Sequence, residues 1–334
     1  MLDMMTNEER RYHRSDIAKL QLRTAVMLFI NEKDLSSVIT LSAVASNLLY
    51  QLVSNAKKEP FIDYARKVHE AFIGWTPKRK GYKNYIDNTF GVNVHKHMGK
   101  KCSKTCSIDL HDSAKNMLLI AISEYVKLYG QRDDFVVAYL NWRWQRENGA
   151  NIAKAIRDMP EKLNRTEKWH DQIKSETLSK ESFVEEKKSI RKTYQRFQLA
   201  SKQLETAIML FLTNQDRISA ITLAGAADVI FCELVNRDGK KNYTDILSSE
   251  SGKRSREDIG KEINDLLHIN SLKHFDKDDE EYINLDVNEC AVAAILKTLV
   301  NYNMMEGKDD NLILAFRYWV KINLDPVKYH LMDN

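Results

Sequence analysis

An internal duplication constrains the fold of this chain more than any other feature of its sequence. The segment that begins at Tyr12 aligns without a gap to the segment that begins at Tyr194, with roughly 18 of 42 positions identical. Two amphipathic helices would match by chance at apolar positions only, whereas here polar residues match as well. Those polar pairs are Arg14/Arg196, Thr24/Thr206, Asp34/Asp216 and Thr40/Thr222. A chain built this way must repeat one architecture.

The duplication extends well beyond these first segments. The motif Asn93-x-x-Lys96-His97 recurs as Asn270-x-x-Lys273-His274. Later positions correspond as well: Gly130/Gly307, Asp133/Asp310, Ala138/Ala315 and Trp142/Trp319. We therefore predict a first repeat over residues 1–145, a linker over 146–192 and a second repeat over 193–334.

The residue pattern predicts helices rather than strands. Only 11 glycines and 4 prolines occur in 334 residues, so turns and helix breakers are scarce. Apolar residues at helical spacing form one stripe in each copy, namely Val38, Leu41, Ala45, Leu48 and Leu52, then Ala220, Leu223, Ala227, Ile230 and Leu234. Asp34 and Asp216 precede these stripes as N-caps. The predicted fold is all-α, with two tandem bundles of four or five helices packed up and down.

The segment between the copies is rich in Glu, Lys, Arg and Gln, which predicts a solvated helical linker. The alternative, an arm that binds nucleic acid, is weaker because acidic residues are interleaved with the basic ones. The net charge of +4 permits an acidic partner without requiring one. The N-terminal residues do not resemble a signal peptide, and the apolar runs are short, so we expect a cytoplasmic protein with no membrane span.

The Asn-x-x-Lys-His motif is the strongest candidate for chemistry. Imidazole exchanges a proton near neutral pH, and a lysine can hold a phosphate oxygen. On a helix, Asn93 and His97 would face the same way, as would Asn270 and His274. The alternative is structural, with the asparagine capping a helix and the histidine bonding to a buried carbonyl.

These residues carry a resemblance to the HEPN superfamily of small helical bundles. Many members are metal-independent ribonucleases with an Arg-x(4–6)-His motif, and their active site forms where two such units pair. The resemblance implies that His97 and His274 match the family histidine, and that Asn93 and Asn270 match the polar residue after the arginine. Val92 and Ile269 stand where the family has arginine, which leaves Lys96 and Lys273 as the available cations. No cofactor is implied.

Other residue groups are read mainly as structure. His95, His97, Cys102, Cys106 and His111 could hold zinc, but the cysteine spacing is loose and the second copy has none there, so a lysine-rich surface loop is preferred. Aromatic residues late in each copy are read as core or interface anchors rather than base-stacking platforms: Trp142, Trp144, Tyr318 and Trp319. The basic segment 78–83 is either a phosphate contact or a solvated loop.

Two functions of different classes follow. The first is a helical binding protein, an intramolecular pseudo-dimer that recognises RNA, a nucleotide or a protein partner, in a prokaryotic defence or stress response. The second is a metal-independent ribonuclease whose histidines converge between the repeats. The missing arginines favour the first, and the paired histidines favour the second. The sequence leaves a homodimer as an open alternative.

Overall fold

The computed structural model describes residues 9–99, 102–146, 190–251 and 254–325. Residues 147–189, and with them almost all of the predicted charged linker, lie outside the described residues, so the predicted repeat boundaries stay predictions. The all-α fold class is confirmed. Thirteen helices and four short strands occur in the described ranges.

The first half contains β1 (Arg10–His13), α1 (Arg14–Ile30), α2 (Leu35–Asn55), α3 (Phe61–Ile73), α4 (Arg79–Thr89), α5 (Val92–Lys96), β2 (Thr105–Ile108), α6 (Leu110–Tyr129) and α7 (Asp134–Arg146). The second half contains β3 (Lys192–Gln195), α8 (Arg196–Leu212), α9 (Arg217–Arg237), α10 (Tyr243–Ser251), α11 (Arg256–Leu266), β4 (Tyr282–Leu285), α12 (Val287–Met304) and α13 (Asn311–Asn323). The same order recurs except at α5, whose counterpart, 267–273, forms turns. Each half has more than the predicted four or five helices, because the variable region between the matched segments is itself helical.

The central helices begin where the sequence predicts. The Asp34 carboxylate accepts hydrogen bonds from the backbone N–H groups of Ser36 and Ser37, and Asp216 accepts one from Ser219. These bonds satisfy donors that a helix start leaves unpaired. Every residue of both predicted apolar stripes is buried, so the predicted core faces of α2 and α9 are confirmed.

The two halves exchange strands instead of standing apart. Strand β1 of the first half pairs antiparallel with β4 of the second, and β2 pairs antiparallel with β3. Buried apolar side chains from both halves belong to one continuous core cluster. Each half therefore completes the other.

Buried polar contacts between the halves are reciprocal. The Arg14 guanidinium donates to the backbone carbonyls of Ser271 and His274 at 2.7 and 2.8 Å, while Arg196 donates to the carbonyl of His97 at 2.9 Å. Smaller side chains repeat the exchange: Gln21 donates to Thr222 and Gln203 to Thr40, and Thr24 donates to Asp216 and Thr206 to Asp34. We call these residues the reciprocal layer. The polar pairs that reveal the duplication thus bind the two copies together.

Helices α2 and α9 are also long and apolar enough to cross a membrane by length and composition, with mean hydropathy of 1.3 and 1.8. In the most apolar stretch of each, 78% and 83% of the residues are buried inside the protein. Central helices of soluble proteins pass the same test, so this is weak evidence for a membrane span.

Candidate functional site

The first copy of the motif lies on α5 and on the residue that follows it. Helix α5 starts after Gly91, whose φ of 69° is left-handed, and ends at Lys96. His97 is already extended, with φ −139° and ψ 142°. The expectation that Asn93 and His97 share one helical face is therefore wrong, because the helix is too short to include both.

The second copy lies in the turns at 267–273 and packs closely on α9. A Cβ added at Gly225 would lie 2.6 Å from Cγ2 of Ile269, so only glycine fits there without displacing that side chain. Both copies of the motif are thus held against α9, and α5 packs against α2 as well.

The asparagines of the motif form short-range hydrogen bonds. Asn93 Nδ2 donates to Asn88 Oδ1 at 2.7 Å, and Asn270 Nδ2 donates to Asp265 Oδ1 at 2.9 Å. Neither bond caps a helix, because the residue before α5 is Gly91 and the second copy has no helix there. Asn93 and Asn270 therefore fix each motif to the preceding helix.

The structure brings the two lysines and two histidines together across the halves. We call Lys96, His97, Lys273 and His274 the lysine–histidine cluster. Burial, and after it the positive charges of Lys96 and Lys297, lower the pKa of Lys273 to about 7. Burial likewise lowers the pKa of Lys96 to about 8. Both ammonium groups are therefore poised between charged and neutral forms near physiological pH.

The lysines of the cluster are buried without a neutralising partner. Lys96 is 4% exposed and Lys273 is 6% exposed. No described residue forms a hydrogen bond or an ion pair with either ammonium group. Lys297, which is equally buried, instead forms an ion pair with Asp228, and that pairing keeps its pKa above the ordinary lysine value. Buried lysines are usually paired. Asp87 acts on Lys96, and Asp228 on Lys273, only as charges beyond ion-pair distance, so neither ammonium group has a neutralising contact.

The histidines of the cluster stand at the surface above the lysines. Both are exposed, and their rings make no hydrogen bond with any described residue. Partial burial, followed by the charges of Lys96 and Lys273, lowers the pKa of His274 to about 4. The same causes lower the pKa of His97. At neutral pH both rings are therefore neutral, each with one donor and one acceptor nitrogen.

The residues considered for zinc do not assemble. His95 is fully buried and its Nδ1–H donates to the Gly91 carbonyl at 2.7 Å. Cys102 and Cys106 are half-buried, and His111 packs against core aromatic rings. Among the described residues no group of three or more His, Cys, Asp or Glu side chains could hold a metal ion.

The tryptophans shared by the two copies anchor the interior. Trp142 meets Phe29 edge-on at 4.6 Å between ring centroids, and Trp319 meets Phe211 edge-on at 4.7 Å. Tyr318 is 69% exposed and belongs to the surface. The paired contacts agree with the structural interpretation of the tryptophans.

A cavity beside the cluster was missed by the sequence analysis. It has a volume of about 390 Å³ and is enclosed by α2, α3, α4 and α6, with Ser46, Lys83, Ile120 and Glu124 among its lining residues. The only sequence signal is a divergence, since the duplication aligns Ile120 with Lys297. A sequence difference at one aligned position does not predict a cavity, because the cavity depends on how the surrounding helices pack.

The lysine–histidine cluster combines two cations with two neutral imidazoles, a set of donors that can hold an anion with several acceptor oxygens. The chain matches no family model, no curated protein and no solved structure. Function must therefore be inferred from the residues and their geometry.

Proposed function

We propose that this protein binds RNA by holding backbone phosphates at the lysine–histidine cluster. The observation that supports the proposal is the pair of buried lysines whose ammonium groups form no hydrogen bond or ion pair with any described residue, with Asp87 and Asp228 acting on them only from beyond ion-pair distance. An unpaired buried cation costs free energy, which a bound phosphate would recover. The exposed histidines add N–H donors at the entrance.

RNA is favoured over an acidic protein partner by the composition of the cluster. Each half supplies one lysine and one histidine, so two adjacent phosphates of a strand can be held by equivalent groups. A phosphate carries several acceptor oxygens for such donors, and a strand repeats them at short intervals. The HEPN-like resemblance agrees with this ligand class, and a role in prokaryotic defence or stress response is part of the proposal.

A second candidate, metal-independent ribonuclease activity, is favoured by the two neighbouring exposed histidines. One neutral imidazole would take the proton of a ribose 2′-hydroxyl, whose oxygen attacks the adjacent phosphorus. The other, as imidazolium, would give its proton to the departing 5′-oxygen. The charges of Lys96 and Lys273 oppose formation of that imidazolium, and a bound phosphate offsets them.

Binding is tested by fluorescence anisotropy with a labelled single-stranded RNA and no divalent metal. Lys96→Met/Lys273→Met should weaken binding at least tenfold and reduce the salt slope by roughly 1–2, since two phosphate contacts are lost. Lys261→Met is the matched control, because Lys261 is an exposed lysine on α11, outside the cluster. Equal affinity of the double variant and the parent would overturn the proposal.

Cleavage is tested with the same RNA by gel electrophoresis. If the histidines are catalytic, His97→Ala and His274→Ala should each abolish cleavage and leave the melting temperature nearly unchanged, because both rings are exposed. A parent protein that binds RNA but leaves it intact would end the ribonuclease candidate and keep the binding proposal. Loss of stability in both variants, with RNA binding intact, would assign the histidines a structural role.

A further inference from the structure

The cavity in the first half has the size of a small-molecule site. Its volume of about 390 Å³ falls within the usual range for ligand pockets. Most of its wall is apolar, with Phe61, Ile86 and Met117 contributing. A flat ring system would bury its faces against such a wall.

The second half fills the equivalent space with an internal polar network. There Lys297 forms an ion pair with Asp228 and donates to Asn264 at 3.2 Å. The duplication aligns Lys297 with Ile120, and Asp228 with Ser46. Because the first half has neither the long cation nor its carboxylate, the space between its helices stays open.

One buried carboxylate lines the open cavity. Glu124 is 2% exposed, and its Oε1 accepts the backbone N–H of Phe61 at 2.6 Å. Lys127 lies 3.3 Å from Oε2. A carboxylate offers about four acceptor positions, so two remain for a ligand. The aligned residue of the second half is Asn301, whose Nδ2 donates to Asp228 at 2.7 Å and to Cys232 Sγ at 3.1 Å.

Three cations line the cavity on α4, the helix that packs against α5 and Lys96. Arg79, Lys80 and Lys83 line the cavity on its α4 side. Lys83 forms an ion pair with Asp87 at 2.8 Å. These two residues are also the charged groups that act most strongly on Lys96. A phosphate held by Lys96 can therefore belong to a molecule whose other end enters the cavity.

We infer that the cavity binds a nucleoside phosphate, with the base inside and the phosphate against Lys83 and Lys96. The inference rests on the proposed function for the phosphate end of this ligand. Glu124 selects a base with N–H donors, and guanine presents two adjacent ones to a carboxylate. The nucleotide is either free or one unit of a bound strand.

Calorimetry with guanosine 5′-monophosphate and ribose 5-phosphate separates the base from the phosphate. The parent should bind the nucleotide at least tenfold more tightly than the sugar phosphate. Glu124→Gln should remove most of that difference, because the amide presents N–H groups to the donors of the base. Ribose 5-phosphate should bind this variant as it binds the parent. Equal affinity for both ligands, unchanged by Glu124→Gln, would overturn the inference.

A second variant closes the cavity by copying the other half. Ser46→Asp/Ile120→Lys/Glu124→Asn installs the residues of the second half and should abolish nucleotide binding while the sugar phosphate still binds. If this triple variant fails to fold, Glu124→Gln still tests whether the cavity binds the base. Loss of base selectivity in Glu124→Gln, with RNA binding unaffected by Lys96→Met/Lys273→Met, would uphold base binding in the cavity and refute the proposed function.

Two RNA strands, one containing guanine and one of uridine alone, distinguish a free nucleotide ligand from one unit of a bound strand. A free nucleotide predicts that Glu124→Gln weakens only the monophosphate. A strand unit predicts that the same variant also weakens the guanine-containing RNA and spares the uridine strand. A variant that weakens both strands equally would contradict base recognition in the cavity.

Discussion

Two polar regions lie where the halves meet, and they differ in whether their charges are satisfied. In the reciprocal layer, Arg14 donates to three backbone carbonyls of the opposite half at 2.7–2.8 Å. In the lysine–histidine cluster, Lys96 and Lys273 have no described partner although they are as buried. Both regions are built from residues that occur in both copies. The fact that a residue occurs in both copies therefore does not tell whether it is structural or functional. Whether its buried charge has a partner does distinguish the two regions.

The difference has an energetic consequence. A satisfied buried donor stabilises the fold, and an unpaired buried cation destabilises it. Functional sites are where proteins tolerate such destabilisation. Substitutions in the reciprocal layer should therefore lower stability, and substitutions at the lysines should raise it.

The largest effect is expected at Arg14. Arg14→Ala would leave buried carbonyls without their donor and should lower the free energy of unfolding by about 3–5 kcal/mol. Arg196→Ala should cost less, because its contact with the Val94 carbonyl is longer, at 3.3 Å, and its Nε has no partner among the described residues. Urea denaturation measures both. Equal losses below about 1 kcal/mol would show that the layer does not hold the halves together.

The second effect has the opposite sign. Lys273→Met should raise the free energy of unfolding by roughly 1–4 kcal/mol, because a buried charge is replaced by an apolar chain of similar length. Lys297→Met is the matched control and should destabilise, since it leaves the Asp228 carboxylate buried without its cation. Thermal melts distinguish the two. A destabilised Lys273→Met would mean that its ammonium group has a partner after all.

A smaller loss is expected from the core face of the central helices. Ala45 and Ala227 are fully buried, so enlarging either to leucine should overpack the helix crossing and cost about 1–3 kcal/mol. The comparison of the two halves predicts similar losses at these matched positions. Melting temperatures of Ala45→Leu and Ala227→Leu unchanged from the parent would contradict this packing.

The smallest effect is a dependence of stability on pH. The pKa values of Lys96 and Lys273 in the folded protein, about 8 and about 7, lie below that of an unfolded lysine. The unfolded chain then binds more protons, so stability rises with pH. We expect a gain of about 1–2 kcal/mol from pH 7 to 8.5, a window below the ordinary pKa of tyrosine and at the edge of that of cysteine.

The same titration acts in the opposite direction on binding. Phosphate needs protonated lysines, so affinity for RNA should fall over this pH window while stability rises. Urea melts and anisotropy across the window measure both trends. Lys96→Met/Lys273→Met should flatten the stability profile, and a profile that remains steep would assign the pH dependence to other groups.

Much of the fold could be predicted because its signals are local. The apolar spacing around Leu41 and Leu223 places the core faces of α2 and α9, and the carboxylates of Asp34 and Asp216 begin these helices. Such signals depend on neighbours within one or two helical turns. The end of helix α5, one residue before His97, could not be predicted in this way. Apolar periodicity cannot define the boundaries of so short a helix.

The candidate site could be predicted only in part. The repeated spacing singled out Lys96, His97, Lys273 and His274, yet it also included Asn93 and Asn270 as equals. Their bonds to Asn88 and Asp265 are short-range ties. Nothing in the spacing distinguishes a side chain that bonds to the preceding helix from one that faces its counterpart in the other copy.

The sequence by itself determined the duplication, the helical class and the polar positions that recur in both copies. Only the tertiary structure decided that Arg14 reaches the carbonyls beside His274 and that Arg196 reaches those beside His97. It also decided that the space closed by Lys297 stays open beside Ile120. The physical reason is that alignment shows which positions correspond, whereas contact between copies depends on how their surfaces pack. That packing is a property of the whole chain, so no local pattern encodes it.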